Sequence, residues 1–200
     1  MTAKHPIVWI IATGTEILQG HYTDRNSPWI SERLIGLGLA TARHMALPDD
    51  AGALREGLAE AARLADLTIV TGGLGPTEDD LNRQAIARVW DKELYEDTEA
   101  LRRIEERLRS RGRQLLPVNR VQALLPRGSR LIPNANGTAP GFFLPPEPPD
   151  GRGAVMALPG PPRENQPMFE QTGLALVREF FGGALMPLRT LTLRTTGLPE

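Results

Sequence analysis

The stretch that decides the fold is Leu67-Thr68-Ile69-Val70-Thr71-Gly72-Gly73-Leu74-Gly75-Pro76-Thr77-Glu78-Asp79-Asp80. Residues 67–70 predict a short buried strand, because continuous runs of apolar and β-branched residues are typical of strands covered on both faces. The three glycines that follow let the backbone approach a ligand closely. Asp79 or Asp80 is predicted to begin the next helix as its cap. The stretch therefore predicts a strand, an exposed glycine-rich loop and a helix.

Units of the same kind precede this stretch. The predicted elements are a strand over 7–12 that stops at Gly14, a helix from Ser27-Pro28 to Gly36 and Gly38, a strand over 39–47, and a helix capped by Asp49 or Asp50. Strands and helices that alternate at such short spacing are typical of an α/β domain with a mainly parallel sheet.

The second half of the chain is less regular. The pattern predicts an amphipathic helix over 97–111, strands over 129–132, 141–144 and 154–158, a proline-rich hairpin loop over 145–151, a last helix through Met168 and Phe180, and a strand-like tail over 188–196. We divide the chain into one domain, 1–187, and a tail, 188–200.

Composition excludes several classes of function. The 200 residues suit one globular domain, and 23 basic against 24 acidic residues give a net charge of −1. No overall field therefore favours nucleic acid or an anionic membrane as a partner. The chain has no cysteine, which excludes disulfides and thiol chemistry. Its first apolar run is too short to span a bilayer. We expect a cytoplasmic protein.

The glycine-rich loop is the first candidate site. Exposed N–H groups at a turn and a helix N-terminus suit a phosphate or another anion. The nearby carboxylates would repel that anion unless a cation bridges them, so Asp79 and Asp80 are candidate ligands of a divalent metal ion. A tight turn with acidic helix caps is the alternative interpretation.

Two further groups of polar residues follow other predicted strands. Gly14-Thr15-Glu16 ends the first strand, with Asp24 and Asn26 shortly after it, and Asp49-Asp50 ends the second strand. The carboxyl ends of parallel strands share one edge of a sheet, where ligands gather. Each group alone suits a cap or a turn. Together they indicate a metal-assisted phosphate site.

Two stiff loops complete the candidate site. They are Asn136-Gly137-Thr138-Ala139-Pro140-Gly141 and Leu158-Pro159-Gly160-Pro161-Pro162-Arg163-Glu164. Glycine permits close approach and proline fixes the shape of a rim. Arg163 can hold a phosphate with two hydrogen bonds, and a surface salt bridge is its alternative role.

Several of these motifs together resemble a known family. Residues 14–20, 24–26, 71–80, 119–123, 137–142 and 158–164 occur in the order found in the amino-terminal domain of CinA, the competence/damage-inducible protein. That domain shares the molybdenum-cofactor biosynthesis fold with MogA and MoeA. The resemblance implies a three-layer α/β/α domain around a mostly parallel sheet, and assembly into homo-oligomers by analogy.

The resemblance also implies an activity. CinA-type domains hydrolyse ADP-ribose at its pyrophosphate with a metal ion, and in pterin-handling relatives the acids matching Asp80 and Asp49 are functional. We therefore expect Asp80, Asp49 and Glu16 to be catalytic, Asp79 and Asp80 to hold metal, and a phosphate-bearing nucleotide or pterin to be the partner. The residues expected to bind it are Gly14, Thr15, Asp24, Asn26, Thr71, Gly72, Gly73, Gly75, Pro76, Thr77, Gly137, Thr138, Gly160 and Arg163.

Two departures from the family pattern affect these expectations. Asn82 stands where the family usually has Thr, and it can still cap or form hydrogen bonds. No counterpart of the family's second domain, which deamidates nicotinamide mononucleotide, is present, so that activity is not expected; Leu193-Arg194-Thr195-Thr196-Gly197 resembles the start of the middle segment. The alternatives to a hydrolase are a domain that holds molybdopterin without turnover and a regulatory relic that binds nucleotide.

Overall fold

The computed structural model describes residues 5–147 and 151–185. The strands within these ranges are β1 (Val8–Thr13), β2 (Thr41–Leu47), β3 (Leu67–Thr71), β4 (Leu94–Glu96), β5 (Leu124–Pro126), β6 (Arg130–Ile132), β7 (Gly141–Leu144) and β8 (Ala154–Leu158). The helices are α1 (Thr15–Leu18), α2 (Asn26–Ile35), α3 (Ala51–Leu64), α4 (Asn82–Val89), α5 (Thr98–Arg109), α6 (Pro117–Arg120), α7 (Pro162–Met168) and α8 (Leu174–Phe181).

The main sheet has the order β2-β1-β3-β8-β7-β6. β1 pairs in parallel with β2 and β3, and β3 pairs in parallel with β8. β7 and β6 add an antiparallel edge. The mostly parallel sheet predicted from the sequence is confirmed. The antiparallel pairing of β7 with β8 also confirms a hairpin connection, of which residues 148–150 lie outside the described ranges.

The core lies on both faces of this sheet. In β1, Val8 and Ile10 pack in a cluster with residues of α2 and α8, whereas Trp9 and Ile11 pack in a second cluster with residues of α3 and α4. Side chains of a strand alternate between faces, so a strand covered on both sides must be apolar throughout. This is why the apolar run at 7–12 is continuous, and it confirms the three-layer α/β/α arrangement.

Side-chain caps set the starts of several helices. Asp50 accepts the N–H of Ala53 at 2.8 Å and Asp97 accepts that of Ala100 at 2.8 Å, as their types predict. The prediction that Asp79 or Asp80 caps α4 is wrong. The helix begins at Asn82 with Leu81 in the cap position, because the Asp80 carboxylate turns back into the preceding loop.

Some elements were not predicted. The short strands β4 and β5 form a separate antiparallel pair, and three residues are too few to show a period. Strand β2 begins at Thr41 rather than at residue 39, and α5 ends at Arg109. The strand predicted over 188–196 and the tail 188–200 lie outside the described residues. Among the described residues no helix combines the length and apolar character that crossing a membrane requires.

Candidate functional site

The candidate site lies where the strand order reverses. From β1 the chain passes through α2 to β2 on one side, and then through α3 to β3 on the other side. The carboxyl ends of β1, β3 and β8 meet at one edge, with Ala12 opposite Thr71 and Thr71 opposite Leu158. In open α/β sheets, ligands bind in the crevice that such a reversal leaves.

Two adjoining clefts open at this edge. The first cleft has a volume of about 420 Å³, and the expected site residues that line it are Gly14, Glu16, Asp49, Gly72, Gly73, Gly75, Pro76, Asp79, Asp80, Gly137, Thr138 and Gly160. The second cleft has a volume of about 720 Å³, and the expected residues along it are Glu16, Asp24, Asn26, Thr71 and Gly160. The fold thus brings together groups that are far apart in the sequence.

Three expected residues do not line either cleft. Thr15 is exposed; its N–H donates to the Asp49 carboxylate at 2.9 Å and its hydroxyl accepts the Asp49 N–H at 3.1 Å. Thr77 bonds to Asp80 inside the glycine-rich loop. The side chain of Arg163 is 80% exposed and lies 3.9 Å from Glu164, so the structure places it outside both clefts.

Asp80 organises the glycine-rich loop. Its carboxylate accepts the N–H of Gly75 at 2.7 Å, the N–H of Thr77 at 2.8 Å and the Thr77 hydroxyl. A Cβ at Gly75 would lie 2.5 Å from Asp80 Oδ2. A side chain at position 75 would therefore displace the carboxylate from its hydrogen bonds to the loop. Both carboxylate oxygens are engaged by the loop itself.

Asn82 connects this loop to the first strand. Its side-chain N–H donates to the Thr13 hydroxyl at 2.6 Å and to the Gly72 carbonyl at 2.8 Å, while its backbone N–H donates to the Gly73 carbonyl. Gly72 has φ +109° and Gly73 has φ +56°, conformations that favour glycine. Asn82 therefore fixes the glycine pair against the end of β1.

The glycine N–H groups divide into two kinds. Gly72 N–H donates to the Leu158 carbonyl at 2.9 Å, and Gly75 N–H is held by Asp80. The N–H groups of Gly73 and Leu74 have no acceptor within the described part of the chain. The N–H groups of Glu78 and Asp79 also lack an acceptor among the described residues. Gly73 and Leu74 are therefore the anion donors at the end of β3.

The first cleft is rich in negative charge. Its lining includes the carboxylates of Glu16, Asp49, Asp79, Asp80 and Glu164 and a single guanidinium, that of Arg111. Beside the loop lies Arg83, which is 1% exposed and donates to the Leu74 carbonyl at 2.8 Å. Burial lowers the pKa of Arg83 from 12.5 to about 10, and the charge of Asp80 partly counters this.

Among the lining residues that sequence reasoning did not assign are Arg111, Gln122 and Glu164. Arg111 and Gln122 come from the segment around α5 and α6, where the sequence assigned no site residue although 119–123 was part of the family resemblance. Only the fold brings them to the first cleft. Glu164 was quoted within its loop but not assigned. Its carboxylate accepts Asn134 Nδ2 at 2.8 Å, and a Cβ at Gly137 would clash with it. The glycine at position 137 is the only sequence signal for this contact.

A preformed metal site does not follow from these carboxylates. In the described ranges no three His, Cys, Asp or Glu side chains are grouped so that they could hold a metal ion. Asp79 and Asp80 both line the first cleft, but the oxygens of Asp80 already accept the loop's donors. The residues present therefore do not fit a metal ion held by the protein alone.

Sequence relatives place the chain among known proteins. The chain is 43% identical over 164 residues to a CinA-like protein of Anaeromyxobacter sp. strain K, covering 82% of this chain and 39% of that protein. It is 41% identical over 191 residues to a CinA-like protein of Geobacter metallireducens, covering 96% of this chain and 45% of that protein. The chain spans less than half the length of these relatives.

Solved structures share the fold. CinA of Thermoplasma acidophilum, described as having unknown function, superposes with a TM-score of 0.76 at 29% identity, over 85% of this chain and 98% of that one. The molybdopterin biosynthesis enzyme MoaB of Thermus thermophilus gives a TM-score of 0.58 at 18% identity, over 88% of this chain and 94% of that one. The latter likeness shows the fold alone.

The family assignment rests on the sequence as well as on the fold. The model of the family described as "Probable molybdopterin binding domain" matches residues 9–179. This range includes all the strands of the main sheet except the first residue of β1, and both clefts. The resemblance to CinA and to MogA-like proteins is thereby confirmed, and the chain belongs to the molybdopterin-binding domain family.

Proposed function

We propose that the first cleft binds the phosphate of a nucleotide or pterin. The observation that carries this proposal is the pair of N–H groups of Gly73 and Leu74, which have no acceptor among the described residues and lie at the reversal point of the sheet. Backbone donors in such a turn favour an anion. The family to which the chain belongs supports a ligand of this class.

The reaction that we propose is hydrolysis of the pyrophosphate of ADP-ribose. Water adds to one phosphorus and the bridging P–O bond breaks, so that the products are AMP and ribose 5-phosphate and the bridging oxygen leaves as phosphate oxygen. The Gly73 and Leu74 donors would stabilise the charge that develops on the phosphate oxygens. Fixed backbone donors are effective because they need no reorganisation during the reaction.

A divalent cation enters this proposal as part of the substrate. Mg²⁺ is usually held by one or two carboxylates together with substrate phosphates. The acidic lining of the first cleft suits a pyrophosphate that arrives with its cation, since the cation offsets repulsion between carboxylates and phosphates. When bound, such an ion neutralises charge on the phosphates.

The carboxylates take different roles in this proposal. Asp80 and Asp49 accept hydrogen bonds from the protein and shape the cleft. The carboxylates of Asp79 and Glu16 line the cleft and accept no side-chain hydrogen bond from the described residues. We therefore assign Asp79 and Glu16 the contact with the cation or with the attacking water. The expectation that Asp80 itself is catalytic becomes a proposal that it positions the loop.

Product analysis tests the hydrolase proposal. The purified chain is incubated with ADP-ribose and Mg²⁺ or Mn²⁺, and AMP is measured by chromatography. Asp79→Asn should lower turnover at least tenfold, whereas Glu78→Gln should not, because Glu78 is exposed and lines neither cleft. If AMP forms with neither metal, the hydrolase proposal is wrong.

The second candidate function is binding without turnover. It is favoured by the engagement of Asp80 within its own loop, since a domain that only holds a ligand needs no catalytic carboxylate. In that case the purified protein should carry or capture a molybdopterin-type ligand, seen as pterin fluorescence. Asp79→Asn should then leave the affinity for that ligand within a few fold.

A further inference from the structure

The two clefts are compartments of one larger depression. Thr13, Glu16, Gly160 and Pro161 line both of them. A ligand whose phosphates bind the N–H groups of Gly73 and Leu74 next to this shared wall can therefore extend into both clefts. The volumes of about 420 and 720 Å³ are each in or near the range of small-molecule sites.

A buried amide whose oxygen has no partner among the described residues lies in the first cleft. Gln122 lines this cleft, is 1% exposed, and its Oε1 has no hydrogen-bond partner in the described structure. An amide oxygen only accepts hydrogen bonds. Buried polar groups are almost always paired, so the cleft is the place from which an O–H or N–H donor can come.

A second such amide stands in the second cleft. Asn26 is 5% exposed, and its Nδ2 donates to the Gly160 carbonyl at 2.7 Å, which fixes the orientation of the amide. Its Oδ1 has no partner among the residues described. Asn26 thus joins the shared wall through Gly160 and keeps an acceptor for a donor on a ligand.

The linings of the two clefts differ in chemistry. The second cleft contains Ile17, Pro162 and Tyr22, a residue that is 72% exposed. A ring and apolar surfaces of this kind suit a flat heterocycle. The first cleft contains glycines and carboxylates, among them Asp49, which suit hydroxyl groups.

We propose that the ligand is bipartite. Its phosphates bind the N–H groups of Gly73 and Leu74 next to the shared wall. A flat nitrogen heterocycle occupies the second cleft and donates an amino N–H to Asn26 Oδ1. A hydroxyl-bearing group occupies the rest of the first cleft and donates to Gln122 Oε1. This inference rests on the proposed function in that it names the two ends of the phosphate ligand and the residue that recognises each.

The first experiment uses fragments as probes. Adenosine and ribose 5-phosphate are titrated separately and together and followed by ligand-observed NMR. The affinity of adenosine should change less than twofold when ribose 5-phosphate is saturating, and ADP-ribose should displace both. Mutual exclusion of the two fragments, or no binding of either, would overturn the inference.

The second experiment changes one contact at each end. Purine riboside, which lacks the amino group, should bind at least about tenfold more weakly than adenosine, and Asn26→Ala should remove this difference. The comparison of purine riboside with adenosine uses the unchanged protein, so it tests the Asn26 contact even if Asn26→Ala folds poorly. Gln122→Met removes an amide whose Oε1 has no partner among the described residues. This change should weaken ribose 5-phosphate binding about tenfold and leave adenosine binding unchanged. Equal effects on both fragments would contradict the assignment.

These outcomes separate the inference from the proposed activity. If both fragments bind together but ADP-ribose yields no AMP, the hydrolase proposal fails and the bipartite site stands. If AMP forms but the fragments exclude each other, the bipartite site fails and the hydrolase proposal stands.

Discussion

The side-chain amide of Asn82 donates to the hydroxyl of Thr13 over 2.6 Å, although 69 positions separate the two residues. Both residues are buried. Because Asn82 also donates to the Gly72 carbonyl, one amide joins the ends of β1 and β3 at the point where the strand order reverses. The shape of the first cleft depends on this connection.

Asn82→Ala should therefore loosen the glycine-rich loop and destabilise the fold. Two buried hydrogen bonds are lost, at about 0.5–1.5 kcal/mol each. We expect urea unfolding to show a loss on the order of 2 kcal/mol, together with weaker nucleotide binding. Asn136→Ala, which removes one exposed hydrogen bond to the Arg163 carbonyl, is the matched control. Equal effects of the two changes would contradict the role of Asn82.

Asp80→Ala should affect both the loop and the ligand. The N–H groups of Gly75 and Thr77 lose their acceptor, and unsatisfied donors cost about 1–3 kcal/mol when buried and less when they reach water. The unfolding free energy and the nucleotide affinity should fall together, whereas Asp79→Asn should lower turnover alone. Asp80 would be a purely catalytic group if its replacement abolished turnover with an unchanged melting temperature.

Gly160→Ala is the cleanest way to obstruct the shared wall. An added Cβ would lie 3.5 Å from the Gly72 Cα, an ordinary contact, so no strain is expected. We predict at least tenfold weaker phosphate-ligand binding with an unchanged melting temperature. Gly183→Ala, where an added Cβ meets nothing within 4 Å, is the control. Binding that is unaffected by Gly160→Ala would place the ligand elsewhere.

Gly73→Val is a poorer test of the same site. Its φ of +56° and an added Cβ at 2.7 Å from Asn82 Nδ2 predict strain in the folded state. We expect this variant to lose stability as well as binding, by an amount that circular dichroism melting can measure. A variant that binds ligand with normal stability would show that the loop adjusts freely.

Arg83→Met tests how the buried charge of Arg83 affects the stability of the fold and the binding of anions. Burial that lowers the Arg83 pKa from 12.5 to about 10 corresponds to a desolvation cost on the order of 3 kcal/mol, at about 1.4 kcal/mol per pKa unit. Removing the charge relieves this cost, while the Leu74 carbonyl loses its donor, at about 1–3 kcal/mol. We expect near-neutral stability at pH 7 and weaker binding of anions.

The stability difference between the parent protein and Arg83→Met should change with pH in a defined direction. Above about pH 10 the folded protein releases the Arg83 proton before the unfolded chain does, so the unfolded state binds more protons and stability rises with pH. The unfolding free energy of the parent minus that of Arg83→Met should increase by about 1 kcal/mol between about pH 9 and about pH 11. A flat or falling difference would show that burial does not lower this pKa.

Much of the fold could be predicted from local patterns. The continuous apolar runs at 7–12 and 67–70 identify strands buried on both faces, and Asp50 and Asp97 cap the helices that follow them. The paired short strands β4 and β5 could not be predicted. Their pairing depends on residues about 30 positions apart, as for Tyr95 and Leu125.

The candidate site could be predicted in outline only. Glycines, carboxylates and strand ends indicated the correct edge of the sheet. The sequence could not show which N–H groups the protein itself uses: Gly75 is held by Asp80, and Gly73 is not. Nor could it place Gln122, whose position depends on how the segment after α5 packs across the sheet edge.

The clefts are assembled from residues that span Thr13 to Glu164, with no single segment supplying most of the lining. The site consequently exists only in the folded chain. Any ligand that binds there therefore stabilises the folded state against unfolding. At a hundred times its dissociation constant such a ligand adds about 2.7 kcal/mol to the unfolding free energy. Heat resistance of the protein thus becomes a readout by which unknown ligands can be ranked without any knowledge of turnover.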